Sequence, residues 1–453
     1  MRTRFIFTTV LILAALHVAS TQPMRAPEEQ QSQFVFLGAS TWPDTDTTRA
    51  RVDVHYRIDR GFFVAVRPTD ATPEAPFLRA GEILIELFDT TETSANRKID
   101  RLSIPDVKAE RDPADPAWYE GIASFTVKPG AYRIFFEATD RQSDRRYVHR
   151  GPNAIIRTIT PSPHKLTLFP ISAIAPVTDL RGATIVPDNF GEDLLFNAQR
   201  QLLLAVTLPD DTTSTITVDY RIGLLEHDAR PNAPLVADSA MVLRVLKGYT
   251  LTSTGTNGQI AYTCTEQAAS RTALVAVPLK TADLPLRVYS LDLHARAGTS
   301  DARITRTFRN VWPSMPRSLK NVDAALEALR FIASEQTLDS LQSGDYTHRR
   351  NSLEMFWSRR DPTPGTSYNE AMTEFYRRVD YARMTYGTLQ ETDGTRTDRG
   401  RVYILNGQPS RVDRALSPAN GFTETWTYDK TKRTFMFVDE RRNGSYKLVA
   451  TQK

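Results

Sequence analysis

From Phe34 to Trp312 the apolar residues of this chain recur at every second position, and beyond Pro313 they recur at helical spacing. That change of period constrains the fold most, because strict alternation buries one face only when the segment is a strand. Val52, Val54, Tyr56 and Ile58 alternate with polar residues, as do Ile83, Ile85 and Leu87, and Tyr132, Ile134 and Phe136. Turn signals such as Lys128-Pro129-Gly130 predict half-buried antiparallel strands between them. The segment 110–116 contains Pro113 and Pro116 and reads as a solvated loop, since proline is excluded from central strands. Pro161-Ser162-Pro163 reads as a linker, and further strands follow over 202–208, 216–222, 241–246 and 286–294. Both stretches end in a strand, a polar hairpin and a second strand. The expected fold class is therefore mainly β. Tandem antiparallel β-sandwich (immunoglobulin-like) domains would span 33–160 and 165–312, followed by an α+β domain over 313–453. Two unrelated β-domains are the alternative to a repeat.

In the last stretch Ser318 is placed to cap a helix with Leu319, Val322, Leu326, Leu329 and Ile332 on its apolar stripe. A second helix carries Leu353, Phe356 and Trp357 and must stop near Asp361-Pro362. A third is expected to open on the capping box Ser367-Tyr368-Asn369-Glu370. Its stripe is Met372, Phe375, Tyr376, Val379, Ala382 and Tyr386, with Gly387 just past its end. After Gly394 four short strands are expected over 402–405, 422–428, 435–438 and 446–449, the last two joined around Asn443-Gly444. Phe422, Trp426 and Tyr428 would share one face of that sheet.

The other end of the chain speaks to location. Arg2 and Arg4 precede a nearly unbroken apolar run over 5–19, and Val18-Ala19-Ser20 offers small residues for cleavage after Ser20. The run is shorter than the roughly 20 residues needed to span a bilayer. Residues 1–20 thus read as a cleaved signal peptide rather than an uncleaved anchor, and 21–32 as a flexible lead-in. The expectation is an exported, soluble, periplasmic or secreted protein. No other segment is apolar and long enough to cross a membrane, and no cysteine follows the signal to carry a lipid anchor. Cys264 is the only cysteine in 453 residues, so no intramolecular disulfide forms and burial must hold the fold. The formal charge of +4 includes Arg2 and Arg4. The near-neutral remainder has no basic patch interleaved with aromatics, which argues against nucleic acid as a partner.

The densest run of unusual residues spans 356–409. It includes Phe356-Trp357, Arg360-Asp361-Pro362-Thr363-Pro364-Gly365-Thr366, Asn369-Glu370 and Tyr376-Arg377-Arg378-Val379 with Tyr381-Ala382. Thr397-Asp398-Arg399-Gly400-Arg401-Val402-Tyr403-Ile404 follows, then Gly407 and Pro409. In these residues the last third of the chain resembles the bacterial GWxTD-domain family, named for a Gly-Trp-x-Thr-Asp motif. Here that motif reads Gly394-Thr395-Arg396-Thr397-Asp398, with threonine in place of tryptophan. The resemblance implies an exported or envelope-associated protein of uncharacterised activity, with β-rich regions ahead of the domain.

Two acid–base pairs, Arg360-Asp361 and Asp398-Arg399, flank the third helix. With Arg401 they would form either a paired-carboxylate or anion-binding site, or arginine–carboxylate bridges that lock loops onto the sheet, Gly400 permitting a tight turn. Gly407 and Pro409 would turn the chain after a strand. The histidines of the mature chain (His55, His149, His164, His227, His294 and His348) lack ligand spacing, so no metal site is expected. Asp44-Thr45-Asp46 and Asp210-Asp211 read as turn acids, and Cys264 as a buried filler. Neither a nucleophile elbow nor a phosphate loop is present, and no cofactor is implied. The leading expectation is a non-enzymatic interaction module that engages an envelope protein through the loop-borne motif. A hydrolase using the Asp398 region and a glycan-binding β-sandwich protein, with Trp426 as the aromatic of choice, are the alternatives.

Overall fold

The computed structural model describes residues 35–44, 46, 48–107, 117–149, 155–158, 166–188, 190–208, 215–225, 235–256, 259–267, 272–417 and 421–452. The signal segment with Ser20, the lead-in 21–32, the loop 110–116 and Pro161-Ser162-Pro163 lie outside the described residues.

The first region contains β1 (Val35–Pro43), β2 (Ala50–Asp59), β3 (Ala65–Val66), β4 (Phe77–Phe88), β5 (Ser94–Asp106), β6 (Trp118–Val127), β7 (Gly130–Asp140), β8 (Arg146–Val148) and β9 (Ile155–Thr158). One sheet runs β1-β2-β6 and the other β3-β4-β7-β8, with β5 added on β4 and β9 on β7. Val52, Val54 and Ile58 of the first sheet meet Ile83, Ile85 and Phe136 of the second in one core, a two-layer sandwich.

The second region contains β10 (Thr167–Ile174), β11 (Thr184–Ile185), β12 (Leu194–Leu195), β13 (Arg200–Thr207), β14 (Thr215–Leu225), β15 (Leu235–Arg244), β16 (Leu246–Lys247), β17 (Tyr249–Thr256), β18 (Gln259–Glu266), β19 (Thr272–Leu279), β20 (Val288–Ala297) and β21 (Ser300–Val311). Sheet β10-β13-β19-β16 packs on sheet β12-β21-β20-β14-β15. A third sheet, β11-β18-β17, covers the other face of β13, burying Leu203 and Ala205 against Tyr262 and Cys264. This extra layer was not expected from the sequence. β13 consequently reads as the continuous apolar run Leu202-Leu203-Leu204-Ala205-Val206, as strands buried on both faces do.

Both sandwiches share one detail. The Tyr132 hydroxyl donates to the Lys128 carbonyl at 2.7 Å, and the Tyr289 hydroxyl to the Pro285 carbonyl at 2.8 Å. Each tyrosine lies near the start of a long strand and ties back four residues, the corner found in immunoglobulin-like folds.

The two regions meet along the outward face of β2, whose residues from Val52 to Ile58 are buried on both sides. There Arg51 pairs with Asp53 at 2.7 Å, and Arg57 pairs with Glu120 at 2.6 Å and Asp188 at 3.3 Å. His55 lies 3.0 Å from the Tyr262 hydroxyl.

The last region packs α1 (Val322–Ala328), α2 (Glu335–Gln342), α3 (Tyr346–Ser358), α4 (Glu370–Thr385) and α5 (Asp398–Asn406) with β22 (Arg411–Ser417), β23 (Gly421–Tyr428), β24 (Arg433–Asp439) and β25 (Lys447–Gln452). The four strands form a meander in sequence order. Three expectations are corrected here. Residues 402–405 are helical, and the edge strand is β22 instead. Thr397 caps α5 and Gly407 ends it with φ +78°, signals that outweigh a four-residue alternation. Asn321, not Ser318, caps α1, while the Ser318 hydroxyl donates to Asp380 on α4. Asn369, not Ser367, caps α4, and its Oδ1 accepts the Met372 N–H at 2.8 Å. Gly387 follows the end of α4 as expected. The short α2, capped by Ser334, was not anticipated.

Candidate functional site

The motif residues converge on the start of α5. A 3-10 turn over Gly394–Arg396 leads into it, and the Thr397 hydroxyl accepts the Gly400 N–H (3.1 Å) while donating to the Gly394 carbonyl (2.8 Å). Gly394 and Gly400 are buried, and each is required by close backbone approach. A Cβ on Gly394 would lie 2.0 Å from the Ala382 carbonyl oxygen, and one on Gly400 would lie 1.9 Å from the Gly394 oxygen. Gly400 therefore serves helix packing rather than the tight turn expected from sequence.

Thr395, at the position of the family tryptophan, is 1% exposed. Its Oγ1 donates to Asp393 at 2.8 Å and accepts from Arg330 on the α1 side at 2.8 Å. Burial works to raise the Asp393 carboxyl. The Thr395 hydrogen bonds and the Arg383 and Arg330 charges override it and hold the group below the usual carboxylate range.

Three ties dock α5 on the sheet. Asp398 accepts the Leu448 N–H of β25 at 2.9 Å, in the first helical turn where a carboxylate is favoured. Arg399 reaches Glu424 of β23 at 3.6 Å, with its guanidinium 4.1 Å from the centre of the Tyr446 ring. The Gly407 carbonyl accepts the Tyr428 hydroxyl at 2.9 Å. Thus Asp398 bonds a backbone amide rather than an arginine, whereas Arg399 does form a carboxylate bridge.

Glu424 is the polar residue that the sequence reading missed. It is 3% exposed, and its Oε1 accepts the Trp426 indole N–H at 2.6 Å. Its Oε2 faces Arg414 at 3.2 Å as well as Arg399. The signal was present: Phe422, Glu424, Trp426 and Tyr428 share one strand face, so a carboxylate stands in an apolar row. Trp426 and Tyr428 on that face are buried, but Phe422 at its end is 42% exposed.

Arg360 and Asp361 belong to a separate turn after α3. The Arg360 guanidinium lies 3.7 Å from the Phe356 ring centre and donates to the Phe356 carbonyl, while Asp361 accepts the Thr363 N–H at 2.9 Å. Asp361 and Asp398 are thus held on different elements, each by its own backbone amide. Arg401 is exposed on α5, and Pro409 is half-buried between α5 and β22.

Elsewhere, Asp44 and Asp46 accept local backbone amides as turn acids. Cys264 is buried in β18, and desolvation pushes its thiol up to about 11. Asp210, Asp211, His164 and His227 lie outside the described residues. No group of three His, Cys, Asp or Glu side chains suited to a metal occurs among the described residues, nor any helix long and apolar enough to cross a membrane.

Fold and site define a tandem immunoglobulin-like β-sandwich protein ending in an α+β domain whose motif joins a helix to a sheet. The family model of the GWxTD domain matches residues 295–453, so the C-terminal third of the chain carries a GWxTD domain. No curated protein sequence matches the chain. Among solved structures, the C-terminal domain of the Streptococcus agalactiae AgI/II polypeptide BspA is similar at 7% identity and a TM-score of 0.15, over 60% of this chain and 100% of that one. A glycosyl hydrolase family 2 member from Bacteroides cellulosilyticus is similar at 9% identity and 0.15, over 59% of this chain and 29% of that one. The collagen adhesin from S. aureus is similar at 9% and 0.14, over 62% and 94%.

Proposed function

We propose that the chain is an exported bacterial envelope protein, cleaved after Ser20, that acts as a non-enzymatic interaction module through its GWxTD domain. The observation that carries this reading is an asymmetry around the motif. Thr397, Asp398, Arg399 and Gly407 are all engaged in capping or docking α5, while apolar side chains on α4, on the loop after it and on α5 are exposed. Tyr381 and Met384 on α4 are 43% and 58% exposed, Leu389 in the following loop 98%, and Leu405 on α5 48%. Exposed apolar groups, with Leu405 one helical turn from Arg401, suit a protein partner better than chemistry, for which Asp398 is already committed to a backbone amide. The sandwiches ahead of the domain would serve as spacers or binding surfaces.

A photoreactive amino acid placed at Leu389, Arg401 or Leu405 in living cells should crosslink one defined envelope protein, and the mature chain should begin at Thr21. A chain that retains its first twenty residues, or no recurrent crosslink from any of the three positions, would remove the reading.

A further inference from the structure

The largest sheet of the second sandwich ends on a strand whose far edge is open. Its order is β12-β21-β20-β14-β15, and β15 pairs with β14 alone among the described residues. From Asp238 to Arg244 that pairing runs without a bulge. The outer edge of β15 therefore offers a regular row of unpaired backbone donors and acceptors, a template for one more strand.

Edge strands usually carry charges or proline against such pairing, and other edges of this protein do. β5 has Arg97, Lys98, Asp100, Arg101 and Pro105, and β22 has Arg411, Asp413 and Arg414. Between Asp238 and Arg244, β15 has Ser239, Ala240, Met241, Val242 and Leu243 instead. Its side chains alternate as a strand requires. Met241 and Leu243 are half-buried against the margin of the sandwich core. Asp238, Ala240, Val242 and Arg244 lie on the outward face, with Val242 70% exposed. On the neighbouring strands that face is polar, pairing Thr217 with Arg296, Asp219 with His294 and Arg221 with Asp292. It turns apolar at its open edge.

The two charges identify what fits. A second copy of β15, arriving antiparallel about a two-fold axis, must keep its outward side chains on the outward face, because a slip of one residue turns every side chain over. The ladder is therefore centred on a residue rather than between two. Centring it on Met241 sets Asp238 opposite Arg244 of the second copy at both ends. Ala240 then meets Val242 twice, and Met241 meets its own copy over the core margin. Centring on Ala240 or Val242 loses both charge pairs. Arg221 of β14 already stands opposite Asp238, so the arriving guanidinium would extend a row of alternating charge. We infer that β15 is a self-association edge, through which two copies of the chain join their five-stranded sheets into one continuous antiparallel sheet.

Sedimentation of the mature chain across the micromolar range tests this, since a strand-to-strand contact is small and gives a weak dimer. The native chain is expected to dimerise reversibly. Arg244→Asp and Asp238→Arg, both at exposed positions, should each weaken the dimer at least about tenfold, because each sets like charges face to face at both ends. Mixed in equal amounts, the two variants should form a heterodimer of near-native affinity, since opposite charges then meet at both ends. A variant that failed to fold could not give that rescue. A native chain that stays monomeric throughout would overturn the proposal. So would dimers indifferent to both substitutions, or two variants that fail to combine. Capture of a foreign extended peptide on β15 by a chain that remains monomeric would overturn the second copy as occupant. Leu389, Arg401 and Leu405 are untouched, so the outcome is independent of the GWxTD-surface reading.

Discussion

Gly400 rests on the backbone of Gly394: a methyl group at Gly400 would stand 1.9 Å from the Gly394 carbonyl oxygen. The obstacle is backbone, which cannot swing aside as a side chain would. Gly400→Ala should therefore destabilise the C-terminal region by roughly 3 kcal/mol despite alanine's better helix propensity. Gly394→Ala should behave alike, whereas Gly365→Ala, with open space around it, should be nearly neutral. Chemical denaturation of the three variants checks this ordering.

Glu424 is buried between an indole N–H and two arginines. Glu424→Leu strands Arg399 against the aromatic rings of Tyr386 and Tyr446 and should cost about 3 kcal/mol, as breaking a buried ion pair does. Arg414→Ala should cost less than about 1 kcal/mol, because Arg414 is largely exposed. Trp426 fluorescence should change in the first variant and stay nearly constant in the second.

Asp398 acts through a backbone amide of β25 and the positive end of α5. Asp398→Ala should lower stability by about 1 kcal/mol, while Asp398→Asn, which keeps an acceptor oxygen, should lose about half as much. A catalytic carboxylate would give the opposite pattern, with the asparagine variant inactive at full stability. Thermal melts of both variants beside the crosslinking assay separate the two roles.

His55 makes the stability of the sandwich junction sensitive to pH. Burial pushes its imidazole from 6.5 down to about 4, with Asp53 opposing and Arg51 reinforcing the shift. The unfolded chain takes up this proton as pH falls through 6.5, whereas the folded chain does so only near 4. The contribution is therefore complete above about 6.5 and is lost between 6.5 and 4, amounting to about 2 kcal/mol by pH 5. Denaturation midpoints at pH 7.5 and 5 should differ more for the native chain than for His55→Gln, and equal differences would refute the assignment.

Much of this fold was legible because periodicity is local. Val52-x-Val54-x-Tyr56-x-Ile58 announced one buried face of β2, and the stripe from Met372 to Tyr386 announced α4. What misled was equally local. Four residues over 402–405 alternate, yet Thr397 and Gly407 bracket a helix, and so short a run carries too little periodicity to compete with two caps. Ser367 and Ser318 looked like caps because any serine before an apolar run does. Asn369 and Asn321 hold those positions because the arriving chain places them there.

The motif divides in the same way. Its glycine, threonine and aspartate were visible as residues in sequence, but their reasons are contacts with Ala382, Arg330 and Leu448, which only packing brings near. Glu424 was skipped because a carboxylate in a strand reads as solvent-facing until its neighbours are known. The sequence by itself determined the succession of β-rich regions, helices and a small terminal sheet, since hydrophobic burial acts residue by residue along one chain. Tertiary structure alone decided the third sheet over β13, the polar junction around His55, and the docking of α5 through Asp398 and Arg399. Each of those depends on distances between residues far apart in the chain.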